Sequence, residues 1–339
     1  MAKGLETITP RVEFTEGAWN AVNVCLRVRS GEKVTLITDR ETEEIGASIY
    51  QEILNASARC SVFVLDDYGA RPHRTMPPEI LRDLSSSQVS VYAAQGQPGE
   101  LVTRMQMTAV VTEHRIRHAH MINVTPRIMM EGMRADFRAV DEISTRVYEL
   151  ARQAARIRAR TPLGTDLHAD LSPRLRWLKT SGIISPEKWG NLPGGEIFTS
   201  PAMVNGTFVV DGVVGDYLCA RYGDLSGTPL ELTVKEGRLQ SARSKNTELE
   251  REFWDYCHTD SNSDRVGEFA IGTNIALRRV IGNILQDEKI PGVHIAFGHP
   301  YAEHTGADWK SGTHIDVVGT QFDIWIDERK IMEKGQFLL

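Results

Sequence analysis

The sequence predicts an α/β N-terminal domain with a mostly parallel sheet, followed by a strand-rich α+β C-terminal domain that carries a candidate metal site. Three observations predict it. Through the first half, short β-branched runs alternate with helix-spaced segments, the pattern of a parallel sheet covered by helices. Beyond that half, short strands follow one another, punctuated by Gly, Pro and Asn. A chain of 339 residues also exceeds the usual size of a single domain.

Lys33–Thr38 (KVTLIT) reads as the first strand, and residues 41–55 as a helix with Ile45, Ile49, Ile53 and Leu54 at helical spacing. Residues 61–65 (SVFVL), Val89–Ala93 and residues 118–124 read as further strands, with a helix over 77–84. Residues 140–158 form the longest amphipathic helix candidate, with Val140, Ile143, Val147, Leu150 and Ala154 on one side. Turn chemistry at 161–166 (TPLGTD) then marks a change of pattern, which sets the expected domains at 1–162 and 163–339. Strands are expected at 197–199, 207–210, 230–234, 267–272, 294–298 and 314–318, with helices at 246–256 and 275–285.

Composition is 41% hydrophobic and 25% charged, enough apolar material for a sizeable core. A net charge of −6, with no Lys/Arg block interleaved with aromatics, speaks against nucleic acid as a partner. No apolar segment suited to a signal peptide opens the sequence, and no run is long enough to span a membrane, so a cytoplasmic location is expected. Cys25, Cys60, Cys219 and Cys257 lie far apart and read as reduced thiols.

Nucleotide binding finds no support. The turn after KVTLIT is acidic (residues 39–44, DRETEE), whereas a pyrophosphate needs glycines and a helix start free of repelling carboxylates. The acidic run instead suits a helix N-terminus.

The second half is more informative. His314 and Asp316 stand two apart in a β-branched run, so both point to one face while Ile315 packs behind them. Two other stretches have the same spacing, His258 with Asp260 and Asp166 with His168. His294 lies in an apolar strand between Gly292 and Gly298, where a lone histidine is more often a core residue than a ligand. Glu196 and Glu268 also sit among glycines and apolar strand residues. A carboxylate is expensive to bury there without a compensating cation. Three carboxylates and two imidazoles suit two divalent ions sharing a carboxylate better than one structural zinc. His114, His118 and His120 form a rival cluster (EHRIRHAH), disfavoured because Arg115 and Arg117 repel a cation. His299 and His304 flank Tyr301 as loop residues.

In these blocks the sequence resembles the aminopeptidase T / aminopeptidase S / PepS family of dinuclear metalloaminopeptidases, often called leucyl aminopeptidases. The resemblance is carried by residues 191–201 (NLPGGEIFTSP), 267–274 (GEFAIGTN), 294–298 (HIAFG) with Tyr301 after it, and the His314–Asp316 pair. It implies metal ligands at Glu196, Glu268, His294, His314 and Asp316 and a catalytic role for Tyr301; in the mechanism that follows from it, Glu268, or else Glu196, relays protons, and the sequence does not say which of them bridges the ions. It further implies two divalent ions (Zn, Co or Mn), a homodimer, and hydrolysis of N-terminal residues from short peptides by a metal-bridged hydroxide. The departures are a shorter chain and Ile315 where many members carry an aromatic residue. A related branch, similar to 2,5-dihydroxypyridine 5,6-dioxygenase, holds one Fe(II) and cleaves rings. There the residue equivalent to Glu196 is apolar, a histidine replaces Glu268, and the histidine equivalent to His294 is missing. The alternatives are therefore that dioxygenase activity, or another small-molecule metallohydrolase on the same scaffold.

Overall fold

The computed structural model describes residues 4–339. Contacts divide the chain into two compact units: one runs to Arg138 and takes in Gly182–Gly194, and the other comprises Ala139–Ser181 and Gly195–Leu339. The change of pattern near residue 163 therefore lies inside the second unit.

In the first unit, strands Arg59–Val64, Lys33–Thr38, Val89–Ala93, Arg117–His120 and Gly190–Asn191 lie side by side in that order, and every pair is parallel. Helices Glu43–Asn55, Pro78–Leu84 and Leu101–Glu113 connect successive strands, as parallel pairing requires. The sequence pattern did not announce Leu101–Glu113, because Leu101, Val102 and Met105 are exposed and blur the periodicity of buried Thr103, Met107 and Val111.

The second unit packs an eight-stranded sheet and a five-stranded sheet about one core. The first runs in the order Arg238–Ser244, Leu230–Lys235, Met203–Val210, Asp166–Asp170, Arg156–Arg160, Asp323–Ile326, Arg329–Glu333 and Gln336–Phe337. The second runs His314–Val318, Gly292–Gly298, Val266–Gly272, Glu196–Thr199 and Leu178–Thr180, antiparallel throughout. Leu167, Phe208, Leu232 and Ile324 from one sheet share a core cluster with Ile197, Phe269, Ile295 and Val317 from the other.

Two expected helices are corrected. The helix over 140–158 spans Phe137–Ala151, and Arg156–Arg160 is a strand: Ile157 and Ala159 face the core while Arg156 and Arg158 pair with Asp170 and Asp166 across the sheet. Of 275–285 only Ile284 and Leu285 are helical, as the start of the short helix Ile284–Asp287. The Asp287 carboxylate accepts the N–H groups of Ile281, Gly282 and Asn283, holding a turn in which Gly282 has φ +77°. No helix among the described residues is long and apolar enough to cross a membrane.

Candidate metal centre

Residues paired directly across an antiparallel sheet project to the same side, and so does every second residue along a strand. Pairing sets Glu196 beside Gly272, Ala270 beside His294, Ala296 beside both Glu268 and Asp316, and Gly298 beside His314. All five candidate ligands therefore stand on one face of the five-stranded sheet, with Gly and Ala between them leaving room for their side chains. The opposite face carries Ile197, Phe269, Ile271, Val293, Ile295, Phe297, Ile315 and Val317, all in the core. Glu268 reaches the ligand face through a bulge, where pairing shifts between Val266 and Glu268. Gly267 makes that bulge possible: a Cβ there would lie 2.4 Å from the Gly298 carbonyl oxygen.

The side chains converge as two overlapping groups. Nε2 of His294 lies 3.3 Å from Glu268 Oε1 and 3.5 Å from Glu196 Oε2. Nε2 of His314 lies 3.5 Å from Asp316 Oδ1 and 3.9 Å from Glu268 Oε2. The His314 Nδ1–H donates to the His299 carbonyl (2.9 Å), which turns Nε2 toward the carboxylates. Burial deepens across the group: His294 is 1% exposed and His314 22%, so the centre opens toward solvent at the His314 end. Tyr301 stands at that end, its ring centroid 4.8 Å from His314 and 6.0 Å from Phe198. Its backbone is left-handed (φ 49°, ψ 53°), and its N–H donates to His299 Nδ1 (3.1 Å).

Electrostatics reflect crowded acid. Burial works against a charged His314, yet the charge and hydrogen bond of Asp316, with Glu268 behind them, raise its pKa to about 10. Burial opposes ionisation of Asp316 too, but the facing His314 holds its carboxyl below the usual range. Burial and then the surrounding carboxylates, Glu268 first, push the Tyr301 hydroxyl well above its ordinary value, so it remains a hydrogen-bond donor.

These residues fit a divalent cation. His294 Nε2 is buried and makes no hydrogen bond, although two carboxylates face it; a cation between them would give it a partner. Ligand atoms of Glu196, Glu268 and His294 lie within 4.8 Å of one another, as do those of Glu268, His314 and Asp316, and the oxygen-and-imidazole donor set suits a divalent transition metal.

The comparisons with known proteins agree with that chemistry. The sequence profile of the thermophilic metalloprotease family (M29) matches residues 127–337, more than half of the chain. The chain belongs to this family. Its members are metal-dependent peptidases, so a metal-dependent hydrolase is what the family assigns here. Two solved structures share the fold over nearly the whole chain. Wild-type AmpT from Thermus thermophilus is 17% identical, with a TM-score of 0.70, covering 96% of this chain and 99% of that one. The 2,5-dihydroxypyridine dioxygenase from Pseudomonas putida is 14% identical, also with a TM-score of 0.70, covering 97% and 98%. No curated protein matches by sequence.

In this metalloprotease His299 supports the centre through His314 and Tyr301, while the histidines of the other sequence motifs lie apart from it. His118 bonds to Ser90 Oγ (2.8 Å) and to His120 (3.2 Å) within the first unit, and neither joins a group of potential ligands among the described residues. His258 Nδ1 bonds to the Trp254 carbonyl. Asp260 accepts from Ser311 and the Gly312 N–H, anchoring the loop ahead of His314. Asp166 pairs with Arg158, and His304 is exposed. Sequence reading missed Glu288 and Lys289. Ligand atoms of Glu288, His294 and Asp316 also lie within 4.8 Å of one another, and the buried Lys289 ammonium sits 2.7 Å from Glu196 Oε1. The available signal was a charged pair placed directly before the Gly292–Gly298 strand.

Proposed function

We propose that this metalloprotease is an aminopeptidase that removes N-terminal residues from short peptides at a centre of two divalent ions. The observation that carries the reading is Glu268, whose two oxygens face two different imidazoles, one deep and one at the solvent end. One ion would be held by Glu196, Glu268 and His294, the other by Glu268, His314 and Asp316. When bound, such ions acidify water and polarise a carbonyl oxygen.

The protein's own groups do the rest. A free α-amine would be held at the centre by one of the ions or by a nearby carboxylate, which restricts cleavage to the first residue of a peptide. Protonated Tyr301 stands beside His314 and donates a hydrogen bond to the oxyanion that develops on the scissile carbonyl. The proton that moves from water to the leaving amine is relayed by a carboxylate of the centre, Glu268 or Glu196. A homodimer in the cytoplasm acting on small peptides completes the proposal.

The test uses aminoacyl anilides with a free or an acetylated amine, after chelation and after adding back Zn2+, Co2+ or Mn2+. Hydrolysis should need metal and a free amine. Equal hydrolysis of the acetylated substrate would reject the aminopeptidase reading, and ring cleavage with dioxygen uptake under Fe(II) would favour the dioxygenase.

A further inference from the structure

The segment between Ile284–Asp287 and the strand Gly292–Gly298 brings a cation into a centre already assigned to ligands. Lys289 is 1% exposed, and its Nζ lies 2.7 Å from Glu196 Oε1 and 2.5 Å from Glu288 Oε1. Thr180 Oγ1 donates to the same Glu196 oxygen at 2.8 Å. Two donors thus occupy Oε1, while Oε2 is the oxygen that faces His294 Nε2. The ammonium is also held from its backbone, where the Lys289 carbonyl accepts the Asn274 N–H at 3.0 Å.

Four carboxylates (Glu196, Glu268, Glu288 and Asp316) meet in this centre, and a cluster of that charge is costly to bury without cations. We propose that Lys289 is a resident cation of the centre, a positioning residue that neutralises Glu196 and Glu288 when no metal is bound and leaves Glu196 one oxygen for an incoming ion. The inference rests on the metal-centre reading above. It has two consequences of opposite sign. The metal-free centre is stabilised, because the ammonium already offsets part of its charge. Metal affinity at the Glu196 position is restrained, because a fixed cation repels an incoming one at short range.

Wild type, Lys289→Met and Lys289→Gln are stripped with chelator and titrated with Co2+, followed by its visible absorption. Thermal unfolding is recorded with and without Co2+. Both variants should bind the Glu196-side ion at least about tenfold more tightly, since close charge repulsion is removed. Both should lose more thermal stability without Co2+ than with it. Lys289→Gln removes the charge but keeps a polar side chain, and supplies the comparison should the methionine variant not fold in chelator. Unchanged or weaker Co2+ binding, with equal losses of stability in both conditions, would reduce Lys289 to a packing residue and overturn the proposal. Wild-type protein that takes up no Co2+ at all would instead overturn the metal-centre reading, and this one with it.

Discussion

Glu268 places Oε1 3.3 Å from Nε2 of His294, an imidazole nitrogen that makes no hydrogen bond. Its other oxygen is turned to His314 at 3.9 Å. Glu196 has no such freedom, since Thr180 and Lys289 hold its Oε1. Under the proposed two-ion reading, Glu268 is therefore the glutamate with an oxygen for each ion.

Glu268→Gln keeps the shape of the side chain and removes the charge. Metal-replete wild type should carry about two divalent ions per chain, and the variant fewer, with hydrolysis reduced by at least about a hundredfold. In excess chelator the ranking should invert: a neutral amide relieves repulsion among buried carboxylates and leaves stability equal or higher. Elemental analysis, hydrolysis assays and chemical unfolding in chelator measure the three quantities. Unchanged metal content with near-wild-type turnover would remove Glu268 from the site.

Tyr301→Phe separates transition-state stabilisation from metal binding. Burial, and then the charge of the nearby carboxylates, keeps the hydroxyl protonated, so its loss should cost kcat about 10²–10³-fold, the usual effect of removing one oxyanion donor. Metal content and KM should change little. A variant that loses metal and retains kcat would make Tyr301 a support for the ligands instead.

How much of this was legible in the sequence depended on where each residue sits. His314 and Asp316 could be paired from spacing alone, because strand alternation is local. Residue type and resemblance single out Glu196, Glu268 and His294, but their shared face follows only from pairing register and the Gly267 bulge. Glu288 and Lys289 were not legible: a charged pair in a short connection resembles solvated surface, and only the long-range approach of its backbone to Gly272 buries it. The helix expected over 275–285 failed for a local reason, since apolar spacing was outweighed by the Asp287 carboxylate gathering three backbone N–H groups.

The paired histidines of the first unit predict a pH dependence unrelated to metal. Burial pushes the His118 pKa down to about 3. Burial, followed by the proximity of His118 and Arg104, holds His120 well below its ordinary value. Both bind protons more weakly in the fold than in the unfolded chain. Below the unfolded value of about 6.5 the unfolded state therefore holds the extra protons, and stability falls as pH falls toward the folded value. Each histidine contributes a slope of up to about 1.4 kcal/mol per pH unit. The double variant His118→Gln/His120→Gln should show a flatter fall between pH 6 and pH 4 in denaturant titrations, with metal content unchanged. An equally steep fall would place the acid-sensitive groups elsewhere, and loss of metal from a folded variant would reinstate the histidine cluster as a ligand site.

Gly272 tests whether the connection bearing Glu288 and Lys289 depends on backbone contact. A Cβ at Gly272 would lie 1.9 Å from the Ile290 carbonyl oxygen and 2.8 Å from its carbon, far inside contact distance. The obstructing atoms are backbone, so no side-chain rotation relieves them. Gly272→Ala must therefore push residues 288–291 away from the sheet, carrying Lys289 from Glu196 and exposing the Asn274 N–H that the Lys289 carbonyl accepts. Overpacking of this kind, joined to a broken buried ion pair, should cost about 3 kcal/mol or more. Gly227→Ala is the control: nothing lies within 4 Å of a Cβ there, and stability should stay within about 0.5 kcal/mol of wild type. Urea unfolding reads both as shifts in midpoint at constant slope. Equal midpoints for the two variants would mean that the connection yields freely, and that Lys289 reaches Glu196 without help from the bare Gly272 backbone.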